Sequence, residues 1–289
     1  MKTPPCHRLG TQIPVIQTAI GGISCPELAA AGSNAGGLGS IAMTGWGYDG
    51  TRDQPNRAAE LTSAGIVANV ILSHDVRYEM RAILDAPPKV VSFFWGDVAP
   101  YTTQVREAGA LSMASVGSVE EPLRATEAGG PVRGEVATMA LVPAVVDAVE
   151  PLPVVAAGSN SDGRGFAGAL CRGAEAAWTG TRFLAARAAD IHPVYRDRVP
   201  AAVASDTSHS RLFDGGWPGA TGRVLRNSTV EDRGAAGPPA HGERPGEGQV
   251  IARDADGGAV LRYDAVATRS KMQGETEAAR SGRGRASVS

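Results

Sequence analysis

The stretch that decides the fold runs from Leu152 to Leu184, LPVVAAGSNSDGRGFAGALCRGAEAAWTGTRFL. Val154–Ala157 and Glu175–Thr179 are short apolar runs of the length of buried strands. Each ends in a turn built on glycine, Gly158-Ser159 and Gly180-Thr181. Between them, Gly163 to Arg172 carries small and apolar residues on one helical face. The order is strand, glycine turn, helix, strand, glycine turn. Backbone N–H groups freed at such turns, beside a helix N-terminus, hold a phosphate well. In (β/α)8 barrels this site is frequently built by the loops after the last two strands. A single turn of this kind reads more simply as tight strand-to-helix geometry. Two of them, one βα unit apart, point to a phosphate cradle at Gly158, Ser159, Gly180 and Thr181.

Working outward, the same rhythm recurs upstream. Ile13–Ala19, Leu38–Met43, Ile66–Leu72, Lys89–Phe94 and Ala110–Val116 read as strands. Helices are expected at Pro26 to Ala35, Arg57–Ser63, Val76–Leu84, Val98–Ala108 and Val119–Thr126. Ser24 is the expected cap of the first, and Ser118 with Glu121 forms a capping box for the last. Strands alternating with helices mean a parallel α/β sheet. GSNAGGLGS, at residues 32–40, tempts one to read a dinucleotide fingerprint. Its glycines follow a helix and precede a strand, and the fingerprint needs the reverse order. After Thr126 the rhythm breaks: Glu127-Ala128-Gly129-Gly130-Pro131 arrives at once, then the helix Thr138–Val149. Seven strands are recognisable where a closed barrel has eight, and the missing one belongs between Thr126 and Gly129.

Downstream of Leu184 the chain changes character. Asp190–Ala204 reads as a helix with His192-Pro193 near its start. Leu212–Asn227 is a glycine-rich loop, and Asp232–Gly248 is irregular. Gln249–Arg253 and Ala259–Tyr263 form a β-hairpin around Asp256-Gly257-Gly258. From Thr268 the chain is polar and aperiodic, and disorder is expected.

The 289 residues suffice for one barrel and an appendage. A formal charge of −2 makes no electrostatic case for nucleic acid. No apolar run approaches the roughly 20 residues of a membrane helix, and MKTPPCHRLG has no secretory character. Cys6, Cys25 and Cys171 are scattered, with no CxxC. They give no metal site and suggest a reducing, cytoplasmic location.

Five blocks together resemble the nitronate monooxygenases, formerly 2-nitropropane dioxygenases. They are PVIQTAIGGISCPELAAAGSNAGGLGSIA, VVSFFWGD, EAGGPVRGEVATMALVPAVVDAV, PVVAAGSNSDGRG with GTRFL, and RLFDGGWPGATGRVLRNS. The resemblance covers roughly Pro4 to Asp264. It implies a TIM-barrel-like (β/α)8 fold that binds FMN non-covalently and oxidises alkyl nitronates with O2 to a carbonyl compound and nitrite. Flavin-dependent enoyl-ACP reductases share that fold. The implied organisation is an FMN-binding barrel over 1–184, a helical and irregular substrate-side appendage over 185–267, and a disordered tail over 268–289. The implied flavin contacts are Gln17, Thr18, Ala19, Gly21 and Gly22 after strand one, then Asn69, Gly129, Gly158 and Ser159, and Trp178, Thr179, Gly180 and Thr181.

The departures from the family bear on catalysis. The strand ending in Gln-Gly before the Glu-Ala-Gly-Gly-His loop is absent. Pro131 stands where the family has its catalytic histidine, and the ending ARSGRGRASVS replaces the family's terminal helix. A nitroalkane loses its Cα proton to a base, usually His. His74, just past strand three, is a substitute candidate; its plain reading is an exposed loop residue. His192 reads as structural and His209 as a loop residue. Trp95 walls the pocket or packs under the rim. Arg133 holds an anionic nitronate or is simply solvated, and Trp217 anchors its loop. Three readings follow: an impaired nitronate monooxygenase, an enoyl reductase-like enzyme, or a degenerate flavin-binding remnant.

Overall fold

The computed structural model describes residues 3–116, 136–158, 160–213, 221–236 and 242–280, with the side chains of 233–236 excepted. A short helix, α1 (Pro4–Leu9), precedes strand β1 (Val15–Gln17). There follow α2 (Pro26–Asn34), β2 (Gly39–Ala42), α3 (Gly47–Leu61), β3 (Ile66–Ile71) and α4 (Arg77–Asp85). Next come β4 (Val90–Phe94), α5 (Ala99–Glu107) and β5 (Leu111–Ala114). Beyond residues 117–135 lie α6 (Thr138–Val149), β6 (Val155–Ala157), α7 (Gly163–Cys171) and β7 (Ala176–Thr179).

All the pairings among these strands are parallel. One sheet has the order β2-β3-β4-β5 and another β1-β7-β6. A single parallel bridge, Ile16 to Leu38, joins them. The combined order, β6-β7-β1-β2-β3-β4-β5, is that of a barrel opened between β5 and β6. The expected seven strands are therefore present among the described residues, with no ladder from β5 to β6. The interval where a missing strand was expected lies outside those residues, as do Val119–Thr126 and its capping box.

Alternation along the strands builds two cores. Ile66, Ala68 and Val70 of β3 and Val91 and Phe93 of β4 face outward and meet Ala29, Ala58, Met80, Ile83 and Val105 of the helices. Ile16, Leu38, Val67 and Val90 face inward with Met113, Val155 and Trp178, so every strand supplies the interior layer or flanks it. Leu9 of α1 packs on the same layer. This is how barrels are filled, and it shows that the seven-stranded array curls. At Gly39 the helix α2 comes so close that an added Cβ would lie 1.8 Å from the Ala29 carbonyl oxygen. Only glycine fits that helix–sheet contact. The glycines of 32–40 thus serve packing, in a helix-then-strand order.

Gln17 reinforces the weak β1–β2 junction. It is 1% exposed, and its Oε1 accepts from the buried Ser40 N–H at 2.8 Å. Its amide donates to Ser24 Oγ at 3.0 Å and to the Thr18 carbonyl. Ser24 is consequently not the cap of α2. Its hydroxyl accepts from Ile20 N–H at 2.7 Å, and the N-cap is Cys25, without a side-chain bond.

Other expectations need correction. Helix α3 begins ten residues before Arg57 and runs through Pro55. A proline inside a helix is costly, but buried Thr51 and Ala58 tie both halves to the body of the protein, and packing outweighs local preference. The helix expected over Asp190–Ala204 is only α8 (Pro193–Arg198). Val199 is still helical, but Pro200 has no N–H to carry the ladder on. Beyond it, β8 (Thr207–Ser210) pairs antiparallel with β9 (Gly222–Leu225), a hairpin the glycine-rich reading hid. Helix α9 (Ser228–Ala236) enters the stretch expected to be irregular. The hairpin β10 (Val250–Arg253) and β11 (Ala259–Leu261) is present and gains a third strand, β12 (Gln273–Gly274).

The tail is ordered over 268–280. Met272, Ala278 and Ala279 are buried, and Arg280 is 1% exposed. The Tyr195 hydroxyl bonds the carbonyls of Glu277 and Ala279 at 2.9 and 2.7 Å. Asn227 and Thr229 side chains bond the carbonyls of Ala279 and Ala278. A polar, aperiodic composition misled because these contacts are side chain to backbone, which periodicity does not reveal. Ile20, Ile23 and Leu28 share a core with Ala189, Ile191, Tyr195, Leu225 and Ala267, so the segments after β7 pack on the loop after β1.

Replacing Gln17 by the similar-sized Leu leaves the Ser40 N–H buried and unpaired. A loss of about 1–3 kcal/mol in urea unfolding is expected, with no change for a surface control such as Gln104→Leu.

Candidate functional site

A cavity of about 840 Å³ runs through the inside of the array, from Arg8 and Leu9 of α1 on the side of the strand starts to the loops where the parallel strands end. Small-molecule sites span roughly 300–1,000 Å³, so it is large enough for a cofactor and a small substrate together. The C-terminal end of every strand of the array contributes, the position where barrel enzymes place their chemistry. The loop after β1 supplies Thr18, Ala19, Ile20, Gly21 and Gly22. Thr44 and Gly45 follow β2, while Asn69 and His74 come from β3 and its loop. Gly158, Asn160 and Ser161 follow β6, and Thr179 to Arg182 end β7.

Most of the expected cofactor residues meet on this wall. Thr18, Ala19, Gly21, Gly22, Asn69, Gly158, Trp178, Thr179, Gly180 and Thr181 all line it. Gln17 does not, because its amide is spent on Ser40, Ser24 and Thr18. Ser159, Gly129, Pro131, Arg133 and Trp217 lie outside the described residues. Trp95 is 5% exposed, stacks on Phe94 at 4.7 Å and does not line the cavity. Its backbone turns at φ 53°, which places the indole under the rim. His74 lines the wall, with Nδ1 3.4 Å from Ser73 Oγ. His192 caps α8, accepting from Val194 N–H at 3.3 Å, and His209 sits on β8 rather than in a loop.

The two glycine turns differ in detail. Gly158 has φ +96°, a region closed to most L-residues, and a Cβ there would meet Thr138 Oγ1 at 3.1 Å. At Gly180 the backbone is ordinary, φ −111°, and a Cβ would press on Thr18 at 3.4 Å. The turn Thr181–Ala185 that follows is 3-10, and its first N–H groups have no partner within the turn. The bond from Thr179 Oγ1 to the Asn160 carbonyl, 3.2 Å, links the two loops.

Helix α7 contributes less than expected. Its cap, Asp162, accepts from the N–H groups of Arg164 and Gly165 at 2.9 and 3.1 Å, so those donors are spent. The Arg164 guanidinium also bonds this carboxylate, at 2.6 and 2.9 Å, and holds its carboxyl well below the usual range. Among the described residues, the donors left for an anion are those of Gly158, Asn160 and Ser161 and of the turn at Gly180–Arg182. Asn69 is oriented by Ser92: Nδ2 donates to Ser92 Oγ at 2.7 Å, which leaves its carbonyl oxygen as an acceptor.

Charge on the wall is one-sided. The described lining holds Arg8, His74, Arg182 and Arg269, and neither Asp nor Glu. Arg182 follows directly on an expected contact. Arg269 comes from the tail expected to be disordered, and only its anchoring in three dimensions reveals it. Among the described residues no cluster of His, Cys, Asp or Glu fits a metal ion, and no helix is long and apolar enough to cross a membrane.

Gly158→Ala should cost about 1–3 kcal/mol in chemical unfolding through backbone strain. Gly180→Ala, with allowed φ, should cost less; equal losses would contradict the two geometries.

The nitronate monooxygenase family profile matches residues 3–81 and 76–243. A nitronate monooxygenase of Pseudomonas aeruginosa is 30% identical over 80% of this chain and 82% of its own length. An octahydroindene-carboxyl-CoA dehydrogenase of Rhodococcus jostii is 30% identical, over 74% of this chain and 64% of its own length. The chain thus spans just under two thirds of that relative. Among solved structures, FabK from Thermotoga maritima superposes with a TM-score of 0.72 at 31% identity, covering 80% of this chain and 76% of that one. With a profile match across most of its length, a parallel barrel-like array and a cavity at the strand ends, this chain belongs to the nitronate monooxygenase family.

Proposed function

We propose that the chain binds FMN at the strand ends and oxidises alkyl nitronates with O2, giving a carbonyl compound and nitrite. The observation that carries this reading is the cavity wall at the strand ends, with Arg182, Arg269 and His74 and no carboxylate among the described lining residues of a chain whose net charge is −2. Such a wall suits an anionic cofactor and an anionic substrate together.

The residues present fit the cofactor. The N–H groups at Gly158 and Ser159 and at Gly180 and Thr181 would hold the phosphate, and the strained φ of Gly158 marks a backbone shaped for close approach. Thr18 to Gly22 would run along the ring system, with the Asn69 carbonyl oxygen as acceptor. When bound, FMN supplies the redox chemistry, taking electrons from the substrate and delivering them to O2.

The chain's own groups set which substrates react. A nitronate has already lost its Cα proton and needs only binding and orientation. A neutral nitroalkane needs a base, and Pro131, at the family's histidine position, has no ionisable group. His74 is the one histidine on the described wall. General-base assistance is typically worth about 10²- to 10⁴-fold, so turnover of neutral nitroalkanes should be weak or absent and that of nitronates slow.

A second reading is favoured by the FabK resemblance and the CoA-thioester relative: reduction or oxidation of an acyl thioester in the same cavity. Bleaching of the flavin by NADPH under anaerobic conditions would support that reading.

The test compares O2 consumption by FMN-loaded protein with 2-nitropropane and with its nitronate at equal concentration. The nitronate is expected to be faster by at least about 10²-fold. Equal rates would overturn the argument and make His74 the base to mutate. Gly180→Asp, which sets a carboxylate against the phosphate, should abolish flavin retention; unchanged flavin would refute the cradle.

A further inference from the structure

The tail delivers a cation to the cavity that no sequence motif announces. His192 N–H donates to the Thr268 carbonyl at 3.0 Å, and the Thr268 hydroxyl donates to the Arg280 carbonyl at 2.9 Å. Ser270 N–H donates to Asp190 Oδ1 at 3.2 Å, and Met272 N–H to the Arg269 carbonyl at 3.1 Å. The backbone on both sides of Arg269 is therefore fixed. Its stem lies on Gly22, where an added Cβ would come within 3.5 Å of Arg269 Cδ.

The guanidinium is held but not consumed. Asp254 Oδ2 stands 3.6 Å from Arg269 Nη2, an ion pair too long for a hydrogen bond. Asp254 cannot readily close that distance, because its Oδ1 accepts from Asp256 and Gly258 N–H at 3.0 and 2.8 Å. Among the described residues no hydrogen bond uses the guanidinium's donors. The side chain is 28% exposed and lines the cavity. A planar fork with unspent donors matches a pair of oxygens on one atom.

Two cations occupy different parts of the wall. Arg182 belongs to the turn at Gly180, which touches Thr18. Arg269 packs four residues further along the same loop, on Gly22. Resting on the flavin reading above, we propose that Arg269 binds the paired oxygens of the anionic nitronate, and those of the nitrite product, while the glycine turns and Arg182 serve the cofactor phosphate.

The experiment uses the full-length FMN-loaded protein. Nitrite affinity is measured by calorimetry, and KM for the nitronate of 2-nitropropane by O2 uptake. Arg269→Gln should weaken nitrite binding and raise KM about 10- to 100-fold, with FMN content and melting temperature unchanged. Arg269→Lys, which keeps the charge without the fork, should recover part of the loss. Unchanged nitrite affinity and KM in a folded Arg269→Gln protein would overturn the proposal. So would loss of FMN with nitrite affinity intact, which would assign Arg269 to the cofactor. If the parent protein holds no FMN, the flavin reading fails, and nitrite calorimetry on that same protein and its Arg269→Gln variant still decides for or against Arg269.

Discussion

The bond from Ser40 N–H to Gln17 Oε1 is the point on which the mouth of this molecule depends. Two parallel sheets meet at β1 and β2 through one backbone bridge, and ladders of that length close no barrel. A buried amide supplies the missing acceptor. The same amide, through Ser24 and the Thr18 carbonyl, fixes the path of the loop that follows β1. That loop touches Gly180 at Thr18 and Arg269 at Gly22. One side chain therefore sets sheet closure and site geometry together, and a loose shell there would misplace every group above it by enough to matter.

Electrostatics give the cavity its character. The chain as a whole is slightly acidic, yet the described wall is entirely cationic or neutral. Two carboxylates near it are spent elsewhere: Asp162 on Arg164 and the first turn of α7, and Glu79 on the N–H groups of Gly45 and Gly47. Withdrawing acids into caps and turns leaves the arginines to act on a ligand. Attraction of anions into a concave site of this kind is stronger than the same charges produce on an open surface.

The barrel was legible because its signals are local. Apolar runs, glycine turns and the strand–helix rhythm placed seven strands to within two residues at each end, and the turns at Gly158 and Gly180 do lie on the cavity. What escaped the sequence depends on distant partners. Pro55 reads as a helix stop unless the anchoring of Thr51 and Ala58 is known. β8 and β9 are short strands whose only strong evidence is each other. The order of 268–280 rests on Tyr195, Asn227 and Thr229 reaching its carbonyls, and Arg269 became visible as a site residue only through that order. Gln17 was placed correctly on β1, but its bond to Ser40, 23 residues away, could not be read from the sequence.

The central claim is that the strand-end cavity is built for an anionic cofactor held by its phosphate. Reconstitution of the purified chain with FMN and, separately, with riboflavin tests it most directly, with bound flavin read from the visible spectrum after gel filtration. Retention of FMN and loss of riboflavin is the predicted result. Equal retention of both would contradict the account, because the glycine turns and the arginine-lined wall would then contribute nothing to binding.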